Sequence, residues 1–427
     1  MTERNLADWL AYISAQHTQT IDMGLSRMQQ MVAQLELQRP GGPALQVVTI
    51  AGTNGKGSTA MALEYLLRRA GKSVGTTLSP HIQRFNERVR LHGEEVDDAT
   101  LCEAFAAVDR ARGDLPLTYF EFAALAALHV FKQAAVAVAI LEIGLGGRLD
   151  AFNAIDADVG VITSIGLDHQ EFLGDTLEAI GAEKAGILRS DQHVVLGPDM
   201  PESVLQACVD LGVQPRRYGH EFHVEMSPGA GEWRLLRQDW PPLNLPVGEL
   251  AGQNIALALE AALLVLQAQL PADGNTGDLA RSHLQDIAEL RVPGRLQICH
   301  YEQRRWILDV AHNPAGIRFL LDQLRARDLQ PDAVICGMLR NKDHAAVIRA
   351  VTQAFDVPWF LVDTQGERSL SAQALQHANN GLGECQSDAQ AAVARACSAT
   401  APGDVILVFG SFSTVEQFAW LAQTVKS

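Results

Sequence analysis

Short apolar runs alternate along the chain with longer stretches in which apolar residues recur every three or four positions. In the first half the runs fall at 46–51, 73–78, 136–142, 159–164 and 193–196, and helical spacing occupies stretches such as 59–70 and 176–188. Apolar runs without alternation predict strands buried on both faces, and the helical stretches between them predict crossovers. The pattern therefore specifies an α/β fold with a mostly parallel sheet. A polar, glycine-containing stretch at 272–277 looks like a linker, but the amphipathic run 279–290 after it still needs a partner. The domain boundary is therefore placed at Pro293-Gly294. Beyond it the alternation restarts, with strands at 306–310, 333–337, 359–362 and 405–409 and helices at 316–327, 343–355 and 415–424. The expectation is a P-loop-type, mostly parallel sheet domain over 1–293, followed by a second, smaller α/β domain over 294–427.

Composition narrows the function. At 427 residues and 47% hydrophobic, the chain can fill a core in each domain. A balance of 34 Lys+Arg against 50 Asp+Glu, net −16, argues against general affinity for nucleic acid or an anionic membrane. Any anionic ligand must then meet locally placed positive groups. Six cysteines include no CxxC pair, so neither a structural zinc nor a disulfide framework is expected. No apolar signal core opens the sequence, and the very apolar stretch 251–270 carries Gln253, Asn254 and Glu260. The protein is read as a soluble, cytoplasmic monomer.

One segment joins a strand to a helix through glycines: Val47-Val48-Thr49-Ile50-Ala51, then Gly52-Thr53-Asn54-Gly55-Lys56-Gly57-Ser58, then Thr59-Ala60-Met61-Ala62-Leu63. Glycines let backbone N–H groups close around phosphate oxygens, the helix start adds a partial positive charge, and Lys56 adds a full one. The usual P-loop expression fails, because Ile50 and Gly57 stand where Gly and Ser/Thr are expected. A glycine-rich turn with an exposed lysine is the plainer alternative.

Further candidates fall at strand ends, where open parallel sheets place ligands. Glu142 closes an apolar strand, where a charge needs a partner; it suits magnesium, and a salt-bridged strand end would look the same. Ser79, before Pro80 and His81, is a ligand or the start of a turn, and His169 is a ligand or a hydrogen-bonded structural residue. Lys184, after Glu183, reads as an ordinary helical lysine.

With these residues in place the chain resembles the folylpolyglutamate synthase and dihydrofolate synthase family, within the wider Mur-ligase-like group. The resemblance runs through Thr20-Ile21-Asp22-Met23-Gly24-Leu25, the Gly52–Ser58 loop, Ser79-Pro80-His81, Thr118-Tyr119-Phe120-Glu121, Glu142 to Asp150, Leu167-Asp168-His169 and Glu183-Lys184-Ala185-Gly186. It continues through Pro293-Gly294-Arg295, Asp309 to Pro314 and Gly410-Ser411-Phe412. It implies that Gly55 to Ser58, Asn254, Arg295 and Asp309 contact ATP, and that Ser79, Glu142 and His169 hold Mg2+. It also implies that Asp22, Met23, Gly24, Leu25, Thr118, Tyr119, Phe120, Glu121, Leu149, Asp150 and Ala151 line a pteroate pocket, and that Lys184 is carried as a carbamate. Phe152 departs from the family's usual Thr, and Ser413 from a common His. The Thr20–Leu25 segment is similar to that of bifunctional members, which act on dihydropteroate and on tetrahydrofolates.

The chemistry this implies starts from a carboxylate that will not condense with an amine at neutral pH. ATP phosphorylates it, with Lys56, Glu142, His169 and Lys184 at the reacting centre, and the amine of L-glutamate displaces phosphate from the acyl phosphate. Arg295, Asp309 and His312 follow the boundary, so the second domain is expected to close over the nucleotide and supply part of the site. Two rivals are weighed. A cell-wall Mur ligase carries a UDP-binding domain before the loop, where this sequence has 51 residues. A P-loop switch would turn over ATP without regard to pteroate or glutamate.

Overall fold

A computed structural model describes residues 4–16, 22–39, 42, 45–226, 232–238, 240–267, 284–366 and 368–423. The linker-like stretch 272–277, residues 279–283 of the run after it, Thr20, Ile21 and position 424 lie outside the described residues. The chain divides into two compact units: Met1–Glu225 with Leu235–Leu243 and Gln253–Ile287, and Met226–Arg234 with Asn244–Gly252 and Ala288–Ser427. The second unit thus takes in two segments that precede Pro293 in the chain.

The first unit is built on strands β1 (Gln46–Ala51), β2 (Val74–Thr77), β3 (Val89–Leu91), β4 (Glu94–Glu95), β5 (Val138–Glu142), β6 (Val159–Ile162), β7 (His193–Leu196) and β8 (Arg216–Arg217). Their order across the sheet is β4-β3-β2-β5-β1-β6-β7-β8. Strands β2, β5, β1, β6, β7 and β8 run parallel, and β3 and β4 close one edge antiparallel. Every residue of β5 and β6 is buried, as helices on both faces of a parallel sheet require. From β1 the chain turns toward one edge, to β2; from β6 it turns toward the other, to β7 and β8. The crevice at the carboxyl ends of β5, β1 and β6 is therefore a topological switch point. Register then fixes what lies there: Ile50 pairs with Glu142 and Ala51 with Ile162, which brings Gly52, Glu142 and Thr163 to one edge.

Strands β9 (Phe222–Met226), β10 (Glu232–Arg237) and β11 (Trp240–Pro246) form a separate small sheet in the order β11-β10-β9. The second unit carries β12 (Gln297–Tyr301), β13 (Arg304–Asp309), β14 (Ala333–Cys336), β15 (Trp359–Leu361), β16 (Glu384–Cys385) and β17 (Val405–Phe409), in the order β12-β13-β17-β14-β15-β16. Only β12 runs antiparallel to its neighbour. Ile307, Leu320, Leu324, Val334, Val347, Leu407 and Phe409 are among its core residues. Helix Pro314–Ala326 starts there because Asn313 accepts from Gly316 N and Pro314 takes the first-turn position that needs no N–H.

Candidate active site

At Gly52 and Gly55 a side chain has no room. A Cβ on Gly52 would lie 1.9 Å from Thr163 Oγ1, and one on Gly55 2.8 Å from Asn254 Oδ1. Gly55 also has φ 86°, in the left-handed region, where it caps helix Lys56–Arg69. The loop is stitched to the residues after β6. Thr53 N donates to Ser164 O (2.8 Å), Asn54 N to Ser164 Oγ (3.0 Å), and Thr163 Oγ1 to Asn54 O (2.6 Å). The first N–H groups of the helix have no intrahelical acceptor, so Lys56, Gly57 and Ser58 present donors at the positive end of its dipole. This geometry suits a phosphate group, with Lys56 beside it.

Glu142 stands against this helix start. A Cβ added at Gly57 would be 3.6 Å from both Glu142 carboxylate oxygens. Glu142 is 3% exposed, and its Oε2 accepts from Ser79 N at 2.7 Å. A carboxylate at this depth costs several kcal/mol unless cations or N–H groups face it. Ser79 and Glu142, separated by 63 positions, are thus adjacent as expected. Half-buried His169 opens the short helix Gln170–Leu173 with φ 51°, its N–H bonded to Asp168 Oδ1 at 2.9 Å. Among the described residues no group of three or more His, Cys, Asp or Glu side chains could hold a metal by itself. The hard oxygens of Glu142 and Ser79 beside a helix start suited to phosphate do fit magnesium, which takes few protein ligands and completes its shell with phosphate oxygens and water.

Lys184 is 4% exposed and its Nζ donates to Gly52 O at 3.0 Å. Burial, with Lys56 nearby, pulls its pKa down to about 7 against the opposing charges of Asp168 and Asp150. The end of its helix, Leu177–Ala185, is locked to the Gly144–Gly147 loop. A Cβ on Gly147 would meet Glu183 O at 2.8 Å, one on Gly186 would meet Arg148 Cβ at 2.3 Å, and Arg148 N donates to Glu183 O at 2.8 Å. The two glycine-bearing motifs are thus one interlock, which sets Lys184 under the phosphate loop.

A second group gathers around the same loop. Buried Asp150 accepts from the N–H groups of Gly144, Leu145 and Phe152, yet burial still raises its pKa to about 6. A Cβ on Gly144 would touch Phe120 Cζ at 2.5 Å, and one on Gly146 would lie 3.5 Å from Met23 Cε. Phe152 packs edge-on against Phe120, with ring centroids 5.8 Å apart. Thr118 and Glu121 form a capping box at the start of helix Tyr119–Gln133. Arg27 then ties Glu121 to Asp22, with Nε 3.0 Å from Glu121 Oε1 and Nη1 2.8 Å from Asp22 Oδ2. Asp22, Met23, Phe120, Glu121 and Asp150, expected to share a pocket, share this neighbourhood; Gly24 and Leu25 adjoin Met23, and Leu149 and Ala151 flank Asp150.

Some residues here escaped the sequence reading. The predicted strand 159–164 takes in Thr163 and Ser164, although a polar pair ending an apolar run is a signal. Arg27 gave no signal, because its partner Glu121 is 94 positions away. Arg88 lies between Phe85 and Tyr119, and its Nε donates to His81 Nδ1 at 2.7 Å. Burial and this guanidinium together hold the His81 pKa at about 4.

The second unit has a cluster of its own. Asp309, at the end of β13, accepts from Leu296 N and Ala311 N, both at 2.8 Å, and burial raises its pKa against the charge of Arg295. The Arg295 guanidinium lies 4.9 Å from the centre of the Phe412 ring, and His312 Nδ1 is 2.7 Å from Val310 O. Ser413 Oγ accepts from Gln365 N at 2.8 Å, which gives this departure from the family a structural use.

Comparison with known proteins identifies the family. Residues 50–224 match the Mur ligase middle domain and residues 294–412 the Mur ligase glutamate ligase domain. An Escherichia coli protein named dihydrofolate synthase/folylpolyglutamate synthase is 40% identical over 96% of this chain and 94% of its own. The solved structure of E. coli FolC in complex with DHPP and ADP aligns with TM-score 0.89 and 36% identity over 99% of both chains. A bifunctional folylpolyglutamate synthase/dihydrofolate synthase with Mn, AMPPNP and L-glutamate bound aligns with TM-score 0.85 and 38% identity over 98% of both. On identity over nearly its whole length and on both domain matches, the chain belongs to the dihydrofolate synthase/folylpolyglutamate synthase family of Mur-type ligases.

Proposed function

We propose that this chain is an ATP-dependent ligase that joins L-glutamate to the carboxylate of dihydropteroate, making dihydrofolate, and to that of tetrahydrofolates, extending them. The observation that carries the reading is the Glu142 carboxylate held against Gly57, at the first turn of the phosphate-loop helix. A bare nucleotide switch needs the loop; the carboxylate and Asp150 neighbourhoods beside it suit a reaction with a second substrate.

In this reading the loop N–H groups and Lys56 hold the β- and γ-phosphates. The acceptor carboxylate oxygen attacks the γ-phosphorus, the bond to ADP breaks, and an acyl phosphate forms. The unprotonated amine of glutamate then attacks the acyl carbon, the bond to phosphate breaks, and the amide forms with loss of a proton. Magnesium bound by Ser79, Glu142 and His169 would neutralise charge on the phosphate oxygens. Asp22 to Leu25, Thr118 to Glu121 and Leu149 to Ala151 line the pterin pocket. Asn254, Arg295 and Asp309 act on the nucleotide, and His312 on catalysis. The enzyme works as a cytoplasmic monomer.

Lys184 is carried as a carbamate. Its low pKa supports this, since the neutral amine is the form that adds CO2. The carbamate would replace a cation with an anion beside the metal. Lys184→Arg should then be as inactive as Lys184→Ala, with the Ala variant recovering activity in a short carboxylic acid. An active Lys184→Arg enzyme rules the carbamate out.

ADP release should be measured with dihydropteroate, dihydrofolate or tetrahydrofolate, each with and without glutamate. The reading expects glutamate-dependent turnover with dihydropteroate and with tetrahydrofolate. Turnover with tetrahydrofolate alone would reduce it to a folylpolyglutamate synthase, and turnover indifferent to both co-substrates would overturn it.

A further inference from the structure

Arg88 is a cation with no ion-paired carboxylate among the described residues. An arginine carries five N–H donors, and this one spends a single donor within the described residues, Nε to His81 Nδ1 at 2.7 Å. Its carbonyl serves the backbone, accepting from Leu78 N. The guanidinium is held in place from three sides, by that bond and by the rings of Phe85 and Tyr119, whose centroids lie 5.6 and 5.9 Å away. No carboxylate forms an ion pair with it among the described residues. The Glu87 carboxylate, next in sequence, is occupied by the N–H groups of Ile82, Gln83 and Arg84 at 2.7 Å each. Arg88 is half-buried, and a guanidinium withdrawn from water normally faces an acid, because desolvating it alone is costly.

What surrounds Arg88 identifies the missing anion. Arg88 O accepts from Leu78 N, and the next residue, Ser79, donates its N–H to Glu142 Oε2 at 2.7 Å, so Arg88 stands near the centre proposed for phosphate transfer. Tyr119 belongs to the helix start that also carries Phe120 and Glu121, on the acceptor side. The segment from Ser79 to Arg88 therefore joins the carboxylate that faces the phosphate seat to the wall of the acceptor pocket. A planar fork of N–H groups matches a carboxylate by paired hydrogen bonds.

We infer that Arg88 binds the carboxylate of the pteroate or folate acceptor, the group to be phosphorylated, and holds it in line with the γ-phosphate. This rests on the ligase reading above. The clamp formed by His81, Phe85 and Tyr119 fixes the fork before substrate arrives, so little side-chain freedom is lost on binding. Arginine stays charged throughout, so the carboxylate is kept ionised and nucleophilic.

The test compares dihydropteroate with its carboxamide isostere, in magnesium and a non-hydrolysable ATP analogue, by calorimetric titration of wild type, Arg88→Gln and Arg88→Lys. Wild type should prefer the carboxylate about tenfold to a hundredfold, as expected of a charge-assisted pair. Arg88→Gln should lose that preference and Arg88→Lys keep part of it, both with unchanged affinity for the ATP analogue, which also reports folding. A carboxylate preference that survives in Arg88→Gln overturns the assignment and leaves the ligase reading intact. Loss of nucleotide affinity alone overturns it in favour of a phosphate contact. Wild type that binds no dihydropteroate removes the ligase reading itself.

Discussion

Lys56 and Lys184, 128 positions apart in the sequence, donate to one acceptor: the Nζ of each lies 3.0 Å from the carbonyl oxygen of Gly52. Two ammonium groups sharing one oxygen repel each other, and the repulsion adds to burial in weakening the proton on Lys184. An arriving phosphate relieves the crowding by giving Lys56 a stronger partner. Lys56→Ala should therefore cost about 2–4 kcal/mol of transition-state stabilisation, roughly 10²–10³ in rate, with the fold kept. Near-normal turnover in a folded Lys56→Ala protein would remove Lys56 from the phosphate site.

Lys184 also gives stability a pH dependence of definite sign. Its pKa falls from an ordinary 10.5 to about 7 on folding, so between these values the unfolded chain binds more protons than the folded one. Its contribution to stability therefore rises with pH through that window. In CO2-free buffer, the melting temperature of wild type relative to Lys184→Met should shift in favour of wild type from about pH 7 to about pH 9. A flat or opposite trend would contradict a buried, weakened ammonium.

Glu142→Gln keeps the shape and an acceptor for Ser79 N while removing the charge. Half-saturation by magnesium should move to higher concentration, and turnover of both acceptors should fall together. An unchanged magnesium titration would make Glu142 a structural strand end.

Arg27→Ala frees Asp22 from Glu121 without touching the phosphate loop. The KM for dihydropteroate should rise while the KM for ATP stays put. An equal rise in both would signal a general loosening of the unit.

The sequence made the centre of each sheet legible. Strands β1, β7 and β17 begin and end where the apolar runs do, because a glycine follows each of them, Gly52, Gly197 and Gly410. The phosphate-loop helix starts at Lys56 rather than at the expected Thr59, because the left-handed Gly55 ends the loop and Gly57 sits inside the first turn as a poor helix former. Strands β3 and β12 mix polar and apolar residues and β4 is two glutamates, so none of them leaves an apolar run to read. Within the site, Glu142 was legible as a charge closing an apolar strand. Arg27 and Arg88 were not, since what marks them is a partner distant in sequence or, for Arg88, a hydrogen bond to His81 with no ion pair among the described residues.

The most direct test of the central claim is the fate of a carboxylate oxygen. Dihydropteroate carrying 18O in its carboxylate is incubated with ATP, magnesium and glutamate, and the released phosphate is analysed by mass spectrometry. An acyl phosphate predicts one 18O in the phosphate for each labelled oxygen lost from the acceptor, in step with dihydrofolate formed. Dihydrofolate accompanied by unlabelled phosphate, or phosphate released at the same rate without dihydropteroate, would contradict it.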